Sequence, residues 1–342
     1  MELTKGSLAI QGRSDAMGQA REKSMFNVEL NGSLDWSFIR QSRFNKIYNS
    51  ACNQAWSPRL DLKWEAQSKH PENPYNNYSL PLAGFPEFEA LPIEKKHELC
   101  WQCHSIEISE LLHGEQIAMI VAAQLVNEAP TFAAKMAACA QVSDEARHLD
   151  FFTQYMSKFS LTITPPSAAL HRFANIILND KRPDYKCLAC QVLLESMALA
   201  KFEEVKQDTS INVLKDALRL ILREEARHIG SGSHWLKPLH QSLDIRELKQ
   251  RLRYVLDMLL TLSESDYLLT QIASQEGWCE RQLKQHIRVK QHSKPERVLS
   301  RRKHLASALT RSGLLTRETR KMIAGILGDE NFESYAPSII NP

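Results

Sequence analysis

The sequence predicts an all-α chain in which a four-helix bundle core carries additional N- and C-terminal helices. Three observations point there. Six residues fall into two copies of one arrangement, Glu115, Glu145 and His148, then Glu195, Glu225 and His228, with each member of the second set 80 positions after its counterpart. Apolar residues recur at helical spacing along most of the chain, and no alternating strand pattern competes with them. The 342 residues, 43% hydrophobic and 24% charged, are ordinary globular material.

The elements follow in order. Residues 1–34 hold few apolar runs and read as a mobile arm or covering segment. From Asp35 to about Trp56 the pattern Trp36, Phe38, Ile39, Phe44, Ile47, Tyr48 and Ala51 fits an amphipathic helix. Residues 57–91, with Pro71, Pro74, Pro81 and Pro86, read as a long ordered loop. Helices are predicted at about 92–127, 131–159, 166–180, 185–207, 211–236, 245–275 and 276–292, with two short ones between 296 and 327. In domain terms, residues 1–91 supply an arm, a helix and a loop, 92–240 the bundle, and 241–342 a helical extension with a basic segment, all expected to form one compact domain.

The spacing of the six residues has a geometric reason. At about 1.5 Å of rise per residue, a Glu about 14 residues before a turn and another about 14 after it stand at one height on two antiparallel helices. Asn127, Glu128, Ala129 and Pro130 lie midway between Glu115 and Glu145, with Pro130 suited to a first helical position. Gln207, Asp208, Thr209 and Ser210 lie near the midpoint of Glu195 to Glu225, and Thr209 or Ser210 can cap the helix beyond it. Within each Glu-x-x-His, positions i and i+3 share a helix face. The two hairpins therefore bring four carboxylates and two imidazoles to one level, the ligand inventory of a two-metal carboxylate site.

Glu115 and Glu195 sit in apolar stretches, and a carboxylate buried there needs a compensating partner. Iron or manganese would supply it; a buried Glu–Arg network through Arg147 and Arg227 is the alternative. Each Glu-x-x-His follows an acid, Asp144 or Glu224, placed to accept the free ring N–H of a metal-bound His. A surface charge is the plainer reading of both acids.

The stretches LLHGEQIAMIVAAQL, QVSDEARHLDFF, LLESMALAKFEE and ILREEARHIGSG resemble the ferritin-like diiron superfamily, in its oxygenase and ribonucleotide-reductase-small-subunit branch. The resemblance covers roughly residues 92–238. It implies a bundle that binds two Fe ions, with a Mn/Fe pair as the alternative, and takes O2 as co-substrate, the di-metal centre itself being catalytic. Glu115, Glu145 and His148 would serve one metal and Glu195, Glu225 and His228 the other, with Glu145 and Glu225 bridging. Asp144 would orient His228 and Glu224 would orient His148.

Departures from neighbouring families narrow the chemistry. Where reductase small subunits carry a radical-forming Tyr, this chain has Phe152, and variants with Phe there resemble mixed manganese–iron proteins. Arylamine N-oxygenases add a third His where this chain has Ile221. Hydrocarbon hydroxylases and acyl desaturases carry a Thr one turn past the third Glu, against Ala198 and Leu199 here. The implied function is a non-haem diiron oxygenase or oxidase that hydroxylates, desaturates or N-oxygenates a small or carrier-tethered organic substrate. A radical-generating subunit, with Tyr155 as the oxidisable residue, and a ferroxidase are the alternatives. Pocket walls are expected from Leu111, Met119, Phe151, Phe152 and Leu199.

A minimal bundle of this type needs roughly 150 residues, so the extra length is expected to build a pocket, lid or partner surface. The N-terminus lacks the apolar run of a signal peptide, and no uninterrupted apolar stretch of about 18 residues marks a membrane span. Seven cysteines, an odd number, suit reduced thiols and a cytoplasmic setting. Cys100 and Cys103, with His104 following, match a haem-attachment letter pattern, and together with Cys187 and Cys190 a zinc pattern; small buried side chains are the plainer reading. The net charge is +3, yet residues 281–304 carry nine Lys and Arg against the one acid Glu296. That segment suits an acidic electron donor such as a ferredoxin or reductase, or an acidic carrier protein, and a solvated helix face is the alternative. Nucleic acid is disfavoured, because no aromatics interleave the charges. A homodimer is compatible with the sequence.

Overall fold

Most helices form where the apolar periodicity places them, the stretch expected as one helix over 245–275 being described as two, and four helices carry the six repeated residues. The computed structural model describes residues 35, 38, 42–66, 72–76, 80–263, 267–292 and 294–327; the arm expected over 1–34 lies outside them. The four core helices are α3 (Ile93–Glu128), α4 (Phe132–Lys158), α7 (Glu195–Asp208) and α8 (Asn212–Ser242). Ahead of them stand α1 (Arg43–Asn53) and α2 (Pro86–Glu89). Between the hairpins lie α5 (Ala168–Asn179) and α6 (Pro183–Cys187). After them come α9 (Ile245–Ser263), α10 (Tyr267–Glu276), α11 (Glu280–His292), α12 (Pro295–Arg311) and α13 (Arg317–Leu327). No helix among the described residues is long and apolar enough to cross a membrane.

Local chemistry sets the boundaries. The α3–α4 turn is closed by Thr131, whose hydroxyl accepts from the Ala134 N–H at 3.2 Å, so the cap is Thr131 and Pro130 stands before it rather than at a first helical position. At the α7–α8 turn the cap residue is Ile211, with no side-chain cap; Thr209 Oγ1 instead accepts from the Ile211 N–H at 3.1 Å. The first helix is shorter than the expected 35–56. It starts after Ser42, whose hydroxyl caps Asn45 at 3.4 Å, while Asp35 and Phe38 are not helical and Phe38 has φ +51°. Asp35 instead accepts from the Phe132 N–H at 2.7 Å, fixing the chain to the start of α4.

The stretch expected as one helix over 185–207 is interrupted. Residues Leu188–Leu194 wind as a wider π turn between α6 and α7. All but Leu194 are buried, and an apolar run of that length reads alike for either winding. Such turns concentrate at functional sites, and this one ends at Glu195.

Three apolar clusters hold the bundle. One joins α3, α5, the π turn, α9 and α12 through Val121, Phe173, Leu193, Leu252 and Leu309. A second joins α3, α4, α7 and α8 with Trp56 and Trp64 through Phe151, Phe152, Phe202 and Leu218. A third packs Leu82, Phe85 and Phe88 on α3, α10 and α11. The long loop before α2 is ordered where it is described: Asn76 N–H donates to Asp208 O at 2.6 Å and Ser210 N–H to Pro74 O at 2.8 Å, one antiparallel bridge across the α7–α8 turn.

Part of the basic segment is paired within the chain. Arg297 binds Asp208 through two N–H donors at 2.6 and 2.5 Å, and Arg301 binds Glu204 at 2.7 and 2.6 Å. His304 Nε2 lies 3.1 Å from Glu203, and Lys290 donates to the carbonyls of Leu80 and Ala83. Part of the charge run therefore docks α12 on α7 and α11 on the Leu80–Ala83 turn.

Candidate metal centre

Glu115 comes from α3, Glu145 and His148 from α4, Glu195 from the first position of α7 directly after the π turn, and Glu225 and His228 from α8. All six are buried. Their ligand-type atoms fall into two groups, Glu115, Glu145, His148 and Glu225, then Glu145, Glu195, Glu225 and His228, with the atoms of each group within 4.8 Å of one another. Glu145 and Glu225 belong to both groups. Among the described residues no other His, Cys, Asp or Glu cluster gathers in this way.

Both imidazoles turn Nδ1 inward. His148 Nδ1 lies 2.7 Å from Glu115, 3.1 Å from Glu145 and 3.3 Å from Glu225. His228 Nδ1 lies 3.1 Å from Glu145, 3.2 Å from Glu225 and 3.9 Å from Glu195. Each Nε2 points out to an acid on the other hairpin: His148 to Glu224 at 2.9 Å, His228 to Asp144 at 3.2 Å. Glu225 Oε1 is buried without a hydrogen-bond partner of good geometry and faces the centre.

Arg147 and Arg227 do not pair with the four central carboxylates. Arg147 donates to Asp144 and, at 3.0 Å, to Glu224; Arg227 donates to Asp144 at 3.0 Å and Glu224 at 3.2 Å. Asp144 and Glu224 are buried, so they are not surface charges. Despite its burial, the Glu224 carboxyl is held down to about 2 by His148, Trp56 and Arg147. Asp144 is likewise held below its ordinary range against burial, by His228 and Arg227.

At the centre, burial pushes the Glu115 and Glu195 carboxyls well up, and the neighbouring glutamates add repulsion. Glu145 moves the opposite way: against burial, the imidazoles of His228 and His148 hold it well down. Burial opposes charge on the two imidazoles, yet the surrounding carboxylates raise both well above 6.5. Protons thus serve as the cluster's cations. Four carboxylates with two neutral imidazoles match the charge of two divalent ions, so the donor set fits a metal pair. Because ions displace those protons, metal affinity should fall as pH is lowered, beginning above pH 6.5 where the raised imidazoles start to hold protons. Titration of Mn(II) at a series of pH values measures this; an affinity flat between pH 8 and pH 6 on the titration axis, against the roughly tenfold changes that single-proton linkage produces per pH unit, would contradict it.

Sequence reasoning missed three residues here. Trp56, from the segment after α1, donates Nε1–H to Glu224 at 3.0 Å. Gln141 donates to Glu195 at 2.9 Å and Glu145 at 3.2 Å, and Gln191 donates to Gln141 at 2.6 Å. Of the pocket candidates, Leu111, Phe151 and Phe152 are buried in the second apolar cluster, while Met119 and Leu199 are half-buried. Ile221 is fully buried in the same cluster. Tyr155 is fully buried, with Oη 2.8 Å from His104 Nε2. The four cysteines of the CxxC pairs are free and buried, and burial raises the Cys100 thiol to about 11.

Residues 40–310 match the family described as P-aminobenzoate N-oxygenase AurF, most of the chain. The chain belongs to that family. This AurF-family member lies in the ferritin-like diiron superfamily, as its repeated motifs imply. Solved structures with the same fold include a variant R2-like ligand-binding oxidase with anaerobically reconstituted Mn/Fe cofactor, at TM-score 0.53 and 13% identity, covering 82% of this chain and 96% of that one. A second variant of that oxidase, aerobically reconstituted with Mn/Fe, gives TM-score 0.54 at 13% identity over 82% and 96%. No match was found among curated proteins. The AurF-family match indicates an oxidoreductase, and the buried carboxylate and imidazole cluster fits a metal site.

Proposed function

We propose that the chain is an O2-dependent oxygenase or oxidase that holds two iron ions and oxidises a small organic substrate, with oxidation of an aromatic amine nitrogen as the first class to test. The observation that carries this reading is the convergence of six buried ligands in two groups sharing Glu145 and Glu225, within a chain of the AurF family. Glu115, Glu145, His148 and Glu225 would hold one ion, and Glu145, Glu195, Glu225 and His228 the other. The bound metal pair supplies dioxygen activation, the part of the reaction that side chains cannot perform.

The chain's own residues do the rest. Glu224 and Asp144 accept the Nε2–H of His148 and His228, which fixes the tautomer that leaves each Nδ1 lone pair facing inward. Arg147 and Arg227 keep both acids ionised for that task. Leu111, Phe151, Phe152 and Ile221 exclude water from one flank. Met119 and Leu199, each one turn past its Glu and related by the 80-residue step, are the candidates that reach toward solvent, so substrate is proposed to approach along the α3–α7 side. The half-buried apolar character there suits an aromatic ring, free or on a carrier. Ile221, on α8, stands where arylamine N-oxygenases carry a third His, so the chain departs from that ligand set. A mixed manganese–iron pair is the second reading, favoured by Phe152.

Anaerobic loading with Fe(II), removal of free metal and exposure to O2 beside a panel of aryl amines and free or carrier-bound acids tests the proposal. Two irons per chain and an N-oxygenated product are expected. Oxidation of many irons per chain without organic product would replace it with iron handling.

A further inference from the structure

We propose that a buried amide relay, Gln191 to Gln141, positions Glu195 and Glu145 and makes the two metal positions unequal, so that the one built on Glu195 and His228 fills first. The inference rests on the metal-centre reading above.

Gln141 stands on α4 one turn before Glu145 and is 2% exposed. Its amide has two N–H donors, and its Nε2 serves both Glu195 Oε1 and Glu145 Oε1. Its carbonyl oxygen accepts from Gln191 Nε2, one turn before Glu195 in the π turn and 1% exposed. The Gln191 carbonyl in turn accepts from the Cys187 thiol at 3.1 Å. Burial pushes that thiol well up, so it keeps its S–H and the chain of donors runs one way, from Cys187 to the carboxylates.

The fold makes room for this relay at a specific place. Gly232 lies on α8 one turn past His228, and a Cβ there would stand 2.5 Å from Gln191 Cβ and 2.9 Å from its Oε1. Only a residue without a side chain lets Gln191 occupy its position. The other half of the bundle has no such device. The counterparts of Gln141 and Gln191 across the 80-residue step are Ile221 and Leu111, both apolar. Among the described residues, Glu115 has one hydrogen-bond partner, His148.

The difference has a direction. Glu195 Oε1, 3.9 Å from His228 Nδ1, is already held in place by a neutral donor that is not itself a metal ligand, so little ordering remains to be done on binding. Glu115 must give up its contact with His148 Nδ1, which the same ion needs. Groups that orient a ligand in this way typically change metal affinity by about 10–100-fold when removed, and prior ordering favours binding by lowering its entropic cost. Ile221 and Leu111 also show that the bundle accepts aliphatic side chains at this height.

The test uses the full chain with Mn(II) as the probe, read by spin resonance of free Mn(II) during titration and by anomalous diffraction from crystals grown with one equivalent. In the wild-type chain the first ion should occupy the Glu195–His228 position. Gln141→Leu should weaken that phase about 10–100-fold and weaken the Glu115–His148 position less, since there it loses only the contact to the shared Glu145. Gln191→Leu and Gly232→Ala should shift it the same way without touching a ligand, and thermal melts of the metal-free variants check that each folds. A mere packing role would lower both affinities equally and overturn the proposal, as would equal filling in the wild type or a preference that survives Gln141→Leu. Two ions binding without preference would sink this inference alone; no bound ion in the wild type would sink the metal-centre reading, and this inference with it.

Discussion

Glu145→Ala should empty both metal positions, whereas Glu115→Ala should leave one of them working. Glu145 reaches His148 Nδ1 through one oxygen and His228 Nδ1 through the other, each at 3.1 Å, and it belongs to both ligand groups. Glu115 belongs only to the first. After anaerobic Fe(II) loading and desalting, elemental analysis should find close to no iron on Glu145→Ala and about one ion per chain on Glu115→Ala, since each lost carboxylate removes a donor that the ion must have deprotonated and in place. Two ions retained on Glu145→Ala would show that it does not bridge. Glu225→Ala should behave like Glu145→Ala, because the two residues occupy equivalent places in the repeat.

Glu224→Leu should destabilise the metal-free protein by about 3–5 kcal/mol, the usual cost of removing one partner from a buried ion pair. Glu224 accepts from Trp56 at 3.0 Å, from Arg147 at 3.0 Å and from Arg227 at 3.2 Å, and it lies 2.9 Å from His148 Nε2. Its removal leaves two guanidiniums sharing one acid, Asp144, beside their neutral partners Ser143 and Gln54. Their side chains are 17% and 11% exposed, so water recovers part of the loss and the lower end of the range is expected. Urea midpoints of the two metal-free proteins measure it, and a difference under about 1 kcal/mol would place the acid among weakly coupled surface pairs. The pH dependence has a fixed sign. The folded carboxyl is held down to about 2 against an ordinary 4.5, so its stabilisation is complete above pH 4.5 and is lost as pH falls toward 2. The Glu224→Leu chain should therefore lose less stability than the wild type over that acid range.

The convergence of the central six was legible because helix geometry imposes a spacing: residues 30 apart across a turn stand at one height on antiparallel helices, and the 30- and 80-residue steps record that directly. Asp144 and Glu224 were legible for the same reason, as neighbours of the Glu-x-x-His pairs. Gln141 and Gln191 left no such mark. A lone glutamine on a buried helix face looks like many others, and the sole hint was a polar residue where the other repeat has Ile221 or Leu111. Trp56 was invisible from sequence because it reaches Glu224 across 168 positions from an irregular segment. The early start expected for the first helix comes from Trp36, Phe38 and Ile39 continuing the apolar stripe of α1, whereas the Ser42 hydroxyl begins the helix at Arg43. The intramolecular partners of the basic segment were not legible from composition. Its partners Asp208, Glu204 and Glu203 belong to a helix nearly 100 positions earlier, and nothing in a charge run names the acids that will meet it.

The π turn at Leu188–Leu194 governs how Glu195 is aimed. Each residue of a regular helix rotates the chain by about 100°, so a winding that accommodates an extra residue before Glu195 resets the compass bearing of everything after it. Excising a single residue from this turn would let the segment relax into ordinary winding and swing the Glu195 carboxylate about a quarter of a circle off the centre, with the rest of the bundle intact. The fourth carboxylate is therefore aimed by a defect in helical pitch, and one codon lost there would blind it.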